Sequence, residues 1–107
     1  MRFQSRATVP TAHASRYIQQ LCKHWSHSLA VEFDADQGRI VFPRDLRGAD
    51  WPDAATLLLQ ARPEGLEYTL AASAEGQLAA LKGTVERHLD RFAFREAPLA
   101  FAWKDAA

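Results

Sequence analysis

Apolar and polar residues alternate with a period of two from Phe3 to Val9. Phe3, Ser5, Ala7 and Val9 fall on one side and Gln4, Arg6 and Thr8 on the other, the pattern of a half-buried strand. Pro10 stops it, and Thr11 is placed to cap a helix. From Ala12 to about His27 the period lengthens. Ala14, Tyr17, Ile18, Leu21, Cys22 and Trp25 recur at the i, i+3, i+4, i+7, i+8, i+11 spacing of one helical face, uninterrupted by glycine or proline. The period of two returns over Leu29 to Phe33, with Val31 and Phe33 on one side, and over Arg39 to Phe42, with Ile40 and Phe42 inward. Asp34-Ala35-Asp36-Gln37-Gly38 between them is turn chemistry, so the pair predicts a hairpin.

Pro43 to Asp53, rich in proline and aspartate, reads as a loop with Trp51 exposed at its end. Ala54 to Arg62 and Leu66 to Ala71 flank Pro63-Glu64-Gly65 and predict a second hairpin, in which Leu57, Leu59 and Ala61 face Leu66, Tyr68 and Leu70. Leu58 has the opposite phase, which implies a strand that is central or covered on both faces. Ser73 is expected to cap a second helix whose stripe is Leu78, Leu81, Val85, Leu89 and Phe92. Gly76 and Gly83 each weaken that helix by about 1 kcal/mol relative to Ala, so packing must hold it. Leu99, Phe101 and Trp103 alternate as a last strand. The order is β-α-β-β-β-β-α-β. Two helical stripes are most simply buried by placing both helices on one face of an antiparallel sheet of about six strands, an α+β fold. The halves are mirror copies in element order, without a residue-level repeat.

Composition narrows the function classes more than it names one. The 107 residues suffice for a single domain over 1–107 with a real core. Thirteen basic residues balance thirteen acidic ones, which removes the electrostatic footprint of a nucleic-acid binder. The one cysteine, Cys22, cannot form an internal disulfide and fits a reducing compartment. Met1 to Arg6 lacks the apolar run of a secretory leader, and no window approaches the ~20 apolar residues of a membrane helix. The expectation is a soluble, cytoplasmic protein with no nucleic-acid or membrane partner.

Candidate chemistry sits where the two helices run out. Leu21-Cys22-Lys23-His24-Trp25-Ser26-His27 closes the first, and His88-Leu89-Asp90-Arg91-Phe92-Ala93-Phe94-Arg95-Glu96 closes the second. At about 100° per residue, His13, His24 and His27 share a strip beside the apolar face, and His88 has a similar flank position. If the helices pack side by side, His24 and His88 approach. His24, His27 and His88 are then a candidate metal set, since imidazole suits Zn, Ni, Cu or Fe. Cys22 points about 200° away from His24, and no second cysteine or paired carboxylate completes the ligands. The plainer alternative makes these histidines helix-flank residues held by backbone or carboxylate hydrogen bonds. Arg91 and Arg95 form a candidate anion grip, or else an ordinary solvated helix end in which Arg87 pairs with Asp90. Cys22 lacks an activating partner and behaves as a small hydrophobe. No nucleophile elbow, phosphate loop or dinucleotide fingerprint is present.

The residues Arg16-Tyr17, Leu21-Cys22, His24-Trp25, His27, Gly38-Arg39-Ile40, Phe42, His88-Leu89, Arg91-Phe92-Ala93-Phe94-Arg95-Glu96 and Trp103 together resemble the bacterial domain-of-unknown-function family 2218. The two histidine-bearing ends carry the resemblance most specifically, and Pro43 to Gly65 matches only in hydrophobic character. The resemblance implies an association with siderophore-interacting flavoprotein reductases, and so a role in iron or siderophore handling. It implies no catalytic residue, and the chain itself carries no flavin domain.

Two function classes lead. One is a non-catalytic binding or accessory module for a metal chelate, an anionic small molecule or a partner protein, in which His24, His27, His88, Arg91 and Arg95 converge at one rim. The other is a homodimeric interaction protein, joined through a sheet edge or the helical layer, in which Trp51 or Trp103 is shielded only by assembly. A metal-dependent enzyme ranks behind both, and no cofactor is identified.

Overall fold

The structure is a computed structural model and describes residues 3–93 and 103–105. Its strands are β1 (Phe3–Pro10), β2 (Ala30–Phe33), β3 (Gln37–Phe42), β4 (Ala55–Arg62), β5 (Gly65–Ala72) and β6 (Lys104–Asp105), with helices α1 (Ala14–Trp25) and α2 (Glu75–Phe92). They form one antiparallel sheet in the order β2-β3-β4-β5-β1-β6. The α+β order expected from the periodicities is the order observed. Within β6 only its two residues are described; Leu99 and Phe101 lie outside the described residues.

Register explains the core. Ile40, Leu57, Leu70 and Ser5 are successive cross-strand neighbours, and so are Gly38, Leu59, Tyr68 and Ala7. Side chains alternate faces along a strand, so both rows point to one side, and every member is buried. Over them α1 packs on β2, β3 and β4, and α2 packs on β5 and β1. Tyr17, Ile18, Leu21, Cys22 and Trp25 supply the buried stripe of α1; Leu78, Leu81, Val85 and Leu89 supply that of α2. The intervening row, Arg39, Leu58, Thr69 and Arg6, faces away from the helices.

Leu58 lies on a central strand, the first of the two alternatives its phase allowed; one face of that strand is covered, and Leu58, on the other, is 48% exposed. Its phase was that of a solvent-facing position filled by leucine. Phe3 and Phe33, expected to face inward, are exposed as well; each ends its strand.

The helix starts also differ. His13, not Thr11, is the N-cap of α1, and its backbone N–H donates to Thr11 Oγ1 at 3.0 Å. Ala74, with extended backbone, is the N-cap of α2, and Ser73 stands one residue before it. Gln77 reaches back to accept the Ser73 N–H at 2.7 Å. A side chain in the first turn thus satisfies a backbone donor just outside the helix, as in a capping box. Trp51 and Trp103 are both half-buried within one chain. A Cβ on Gly76 would lie 3.1 Å from Trp51, and Trp103 packs on Tyr68 with ring centroids 5.1 Å apart while its indole donates to Glu86 at 2.6 Å. Neither is shielded by assembly alone.

Candidate functional site

The end of α1 is set by its own backbone. The Ser26 amide donates to the Cys22 carbonyl, and the Ser28 and Leu29 amides turn back onto the Trp25 carbonyl at 3.1 and 2.8 Å. This leaves His24 and Trp25 in the last helical turn and His27 in the exposed turn beyond it, off the strip it was expected to share. α1 meets α2 here. His24 and His88 come together with ring centroids 5.3 Å apart, and His24 lies 5.7 Å from Phe92. Trp25 is the centre of the group, 4.7 Å from His88 on one side and 5.1 Å from Phe42, edge to face, on the other. Aromatic pairs at these separations hold geometry as well as bury area.

His88 is half-buried on the flank of α2 and is held by a backbone hydrogen bond, as the plainer alternative expected. Its Nδ1 lies 2.7 Å from the Thr84 carbonyl. A carbonyl only accepts, so Nδ1 carries the proton and the neutral ring keeps its lone pair on Nε2. Burial holds the imidazole below its usual value of 6.5, opposed by the bond to Thr84 and aided by electrostatic repulsion from neighbouring His24, Arg91 and Arg47. In the unfolded chain His88 recovers the ordinary value and takes up a proton more readily. Stability from this group is therefore present above about 6.5 and falls as pH drops toward the lowered folded value. Thermal melts of the wild type should shift downward from pH 7 to pH 5, and His88→Gln should make that shift smaller. An unchanged pH slope in the variant would remove His88 as its source.

The remaining candidates separate. Arg91 is exposed and acts on His88 through its charge, and Arg95 lies outside the described residues. Cys22 is buried, and burial pushes its thiol up to about 11, which leaves no thiolate for chemistry at neutral pH. Among the described residues no three His, Cys, Asp or Glu side chains stand together as a metal-holding group. His24, His27 and His88 therefore do not assemble the three-imidazole centre that the helical wheel allowed, because the helix stops before His27.

Beside the aromatic group lies a cleft of about 570 Å³. Trp25 and Phe42 line it with Leu29, Leu46 and Leu81. α2 contributes Ala79, Ala80, Gly83 and Thr84, whose small side chains leave room, and Arg47 and Arg87 line it too. The loop from Pro43 to Asp53 makes one wall. Arg44 and Trp51 exchange hydrogen bonds across it, Arg44 pairs with Asp50, and Leu46–Gly48 forms a single 3₁₀ turn. Inside that turn Arg47 has φ 56° and ψ 35°, the left-handed region, which costs a residue with a Cβ about 1 kcal/mol. Among the described residues Arg87 hydrogen-bonds the Thr84 hydroxyl, at 3.4 Å, and its guanidinium lies over Gly83. Among the described residues neither arginine has a carboxylate within ion-pairing distance; the ion pairs there are Glu32–Arg39, Arg44–Asp50, Arg62–Glu67 and Lys82–Asp105. The expected pairing of Arg87 with Asp90 is not among them.

This cleft adjoins the helix ends where sequence reasoning placed the candidate site, and its lining residues Phe42, Arg47 and Arg87 were not among the candidates. A signal for it existed: Gly76, Ala79, Ala80 and Gly83 repeat at helical spacing and continue one turn on to Arg87. They form a second, small-residue stripe beside the core stripe of α2.

Residues 6–104 match the family described as "Uncharacterized protein conserved in bacteria (DUF2218)". The chain belongs to this family. The chain is also similar to the NMR structure of PA4090 from Pseudomonas aeruginosa, 30% identical over 97% of this chain and 96% of that one, with a TM-score of 0.68. Among curated proteins no match is found. The residues that carry the resemblance, from Arg16 to Trp103, fall inside the matched segment, including His24, Trp25, Phe42, His88 and Arg91. No helix of the described residues is long and apolar enough to cross a membrane.

Proposed function

We propose that this DUF2218 chain is a non-catalytic binding module for a small anionic molecule with an apolar or aromatic body, held in the cleft between α1, the Pro43–Asp53 loop and α2. The observation that carries this reading is the pair of arginines, Arg47 and Arg87, without carboxylate partners among the described residues, on a cleft of about 570 Å³ walled by Trp25 and Phe42. Cavities of this volume accommodate a drug-sized ligand. A guanidinium presents a planar fork of donors that fits a carboxylate or phosphate, and its face stacks on aromatic rings. The apolar wall then takes the remainder of the ligand. Because the chain as a whole is neutral, the positive rim is local, and this favours one anion over a polyanionic nucleic acid.

The iron-handling role implied by the resemblance joins this reading through the ligand, not through protein histidines. A ferric catecholate chelate is anionic and aromatic, and its metal brings its own ligands. The protein would then need arginines and rings, which the cleft has, and not an imidazole triad.

Titration with 2,3-dihydroxybenzoate, its ferric complex and neutral catechol, followed by NMR of backbone amides and indole N–H groups, tests the proposal. The carboxylate and the chelate should shift Trp25, Arg47 and Arg87 together, and catechol should bind more weakly by roughly tenfold or more, the value of one charge-assisted hydrogen bond. Arg87→Ala should weaken the anions by a similar factor and leave catechol unaffected. Absence of selective shifts for all three probes, or equal binding by the Arg87 variant, would discard the cleft as an anion site.

A further inference from the structure

The sheet face opposite the helices carries a charge pattern that the cleft does not use. Its middle row runs Glu32, Arg39, Leu58, Thr69, Arg6 and Lys104 across the six strands. Leu58 stands at its centre, 48% exposed, and among the described residues Arg6 has no carboxylate within ion-pairing distance. A large apolar side chain at the middle of a polar sheet surface is the anatomy of an interface centre with a polar rim.

We infer that this face packs against the same face of a second copy of the chain. In a two-fold pair each patch must complement itself. A half-turn about an axis along β4 through Leu58 places Leu58 on Leu58, Arg39 against Thr69 and Glu32 against Arg6. The neighbouring rows obey the same operation. On one side Gln60 meets Gln60 and Gln37 meets Glu67; on the other Thr56 meets Thr56 and Val41 meets Ala71. No like charges face each other in these rows; Arg62 at the end of β4 meets its own copy, each beside its own Glu67 at 3.2 Å, and two Glu32–Arg6 pairs form, each taking one residue from each copy. Moving the axis half a strand toward β5 instead sets Arg39 against Arg6, and an axis along β5 sets Arg39 against Lys104. The β4 axis, with one Arg62 self-contact screened by Glu67 against two cationic clashes for each of the others, is the one charge favours.

The area is adequate for a reversible dimer. Strands spaced about 4.8 Å apart and rising about 3.3 Å per residue make this face on the order of 600 Å² per copy, the low end of a standard interface. Two sheets related in this way keep their strands nearly aligned, the usual geometry of face-to-face sheets. The helical layers, and with them both clefts, remain on the outside, so dimerisation and cleft binding are separately measurable.

Sedimentation equilibrium at low salt, from micromolar to millimolar chain, is the test. The apparent mass should climb toward twice that of the chain. Leu58→Glu should weaken association at least about tenfold, as expected for a central interface residue. Arg6→Glu and Glu32→Arg should each weaken it similarly, because each sets like charges opposite one another. The double variant, Arg6→Glu with Glu32→Arg, reverses both ends of every pair and should restore association to near the wild-type value. Circular dichroism melts accompany each variant, and the charge-swap trio decides the matter even if Leu58→Glu melts early. A chain that stays monomeric throughout overturns the inference and assigns the face to a partner of different sequence. A dimer indifferent to Leu58→Glu, or a double variant as weak as the singles, overturns it equally.

Discussion

Gly38→Ala should destabilise the protein by about 1–3 kcal/mol, the cost of overpacking a filled core, and lower the melting temperature by roughly 5–20 °C. Alanine is ordinarily the better residue in a strand interior, because glycine loses more backbone freedom on folding. Here a Cβ at position 38 would lie 2.6 Å from Cys22 Sγ, with Ile18 and Leu59 at 3.4 and 3.5 Å. No Cβ tolerates 2.6 Å, and the sulfur is the end of a short buried side chain on α1 with little freedom to turn. The helix must lift from β3, and Ile18 and Leu21 lose contacts with it. The clash is with one atom, so the remedy is specific. Cys22→Ala removes that sulfur, and the double variant should be more stable than the sum of the two single effects by about 1–2 kcal/mol, a coupling typical of residues in contact. Chemical denaturation of the four proteins gives the cycle. A neutral Gly38→Ala, or strictly additive effects, would sink the packing argument. The pair also accounts for Cys22 without redox chemistry: a small hydrophobe is required where α1 crosses Gly38 of β3.

Periodicity made the architecture legible because this fold buries one face of everything. A single-sided sheet enforces the period of two in β1, β3, β4 and β5, and helices with one buried stripe enforce 3.6 in α1 and α2. Where an element end is decided by a hydrogen bond and not by burial, the pattern was silent. Thr11 and Ser73 are both good capping residues, and each stands outside the N-cap, because His13 and Ala74 take the cap positions while Thr11 and Gln77 satisfy neighbouring backbone donors. His27 followed the helical strip on paper, but α1 ends at Trp25, so one ligand of the imagined metal set was lost to a boundary of two residues. Leu58 on the outer phase marked a central strand, but a leucine there does not tell whether its own face is covered.

The candidate site was half legible for a related reason. His24 and His88 do meet, at 5.3 Å, because both lie beside stripes that pack together. The cleft next to them depends on what is missing from α2, the side chains that Ala79, Ala80 and Gly83 lack, and on a loop whose left-handed Arg47 has no periodic signature. A search for chemistry-bearing residue types passes over small ones. Gly76 and Gly83 weaken their helix, and their places beside Trp51 and the cleft are what that penalty accompanies.

Gln77→Leu should cost about 2–3 kcal/mol and take roughly 8–20 °C from the melting temperature, although the two side chains have similar volume and Gln77 is almost fully buried. Its amide closes a knot between the end of the Pro43–Asp53 loop and the start of α2. Oε1 accepts from the Ser73 N–H at 2.7 Å, and Nε2 donates to the Asp53 carbonyl at 2.9 Å. The Ser73 hydroxyl lies 2.6 Å from Oε1 and 3.0 Å from the same Asp53 carbonyl, and accepts the Asp53 N–H at 3.1 Å. Leucine fills the space but offers no acceptor. The freed Ser73 hydroxyl can still satisfy the Asp53 carbonyl, so one part-buried backbone donor, the Ser73 N–H, bears the loss, and an orphaned donor costs more than its bond contributes. Ser73→Ala should cost only about 1 kcal/mol, since Gln77 keeps both backbone partners. If the serine change proved the larger, the hub would be the hydroxyl and not the amide. The consequence reaches the cleft. The loop released by Gln77→Leu carries Arg47, so its amides should exchange faster with solvent. Binding of 2,3-dihydroxybenzoate should weaken even though Gln77 does not line the cleft.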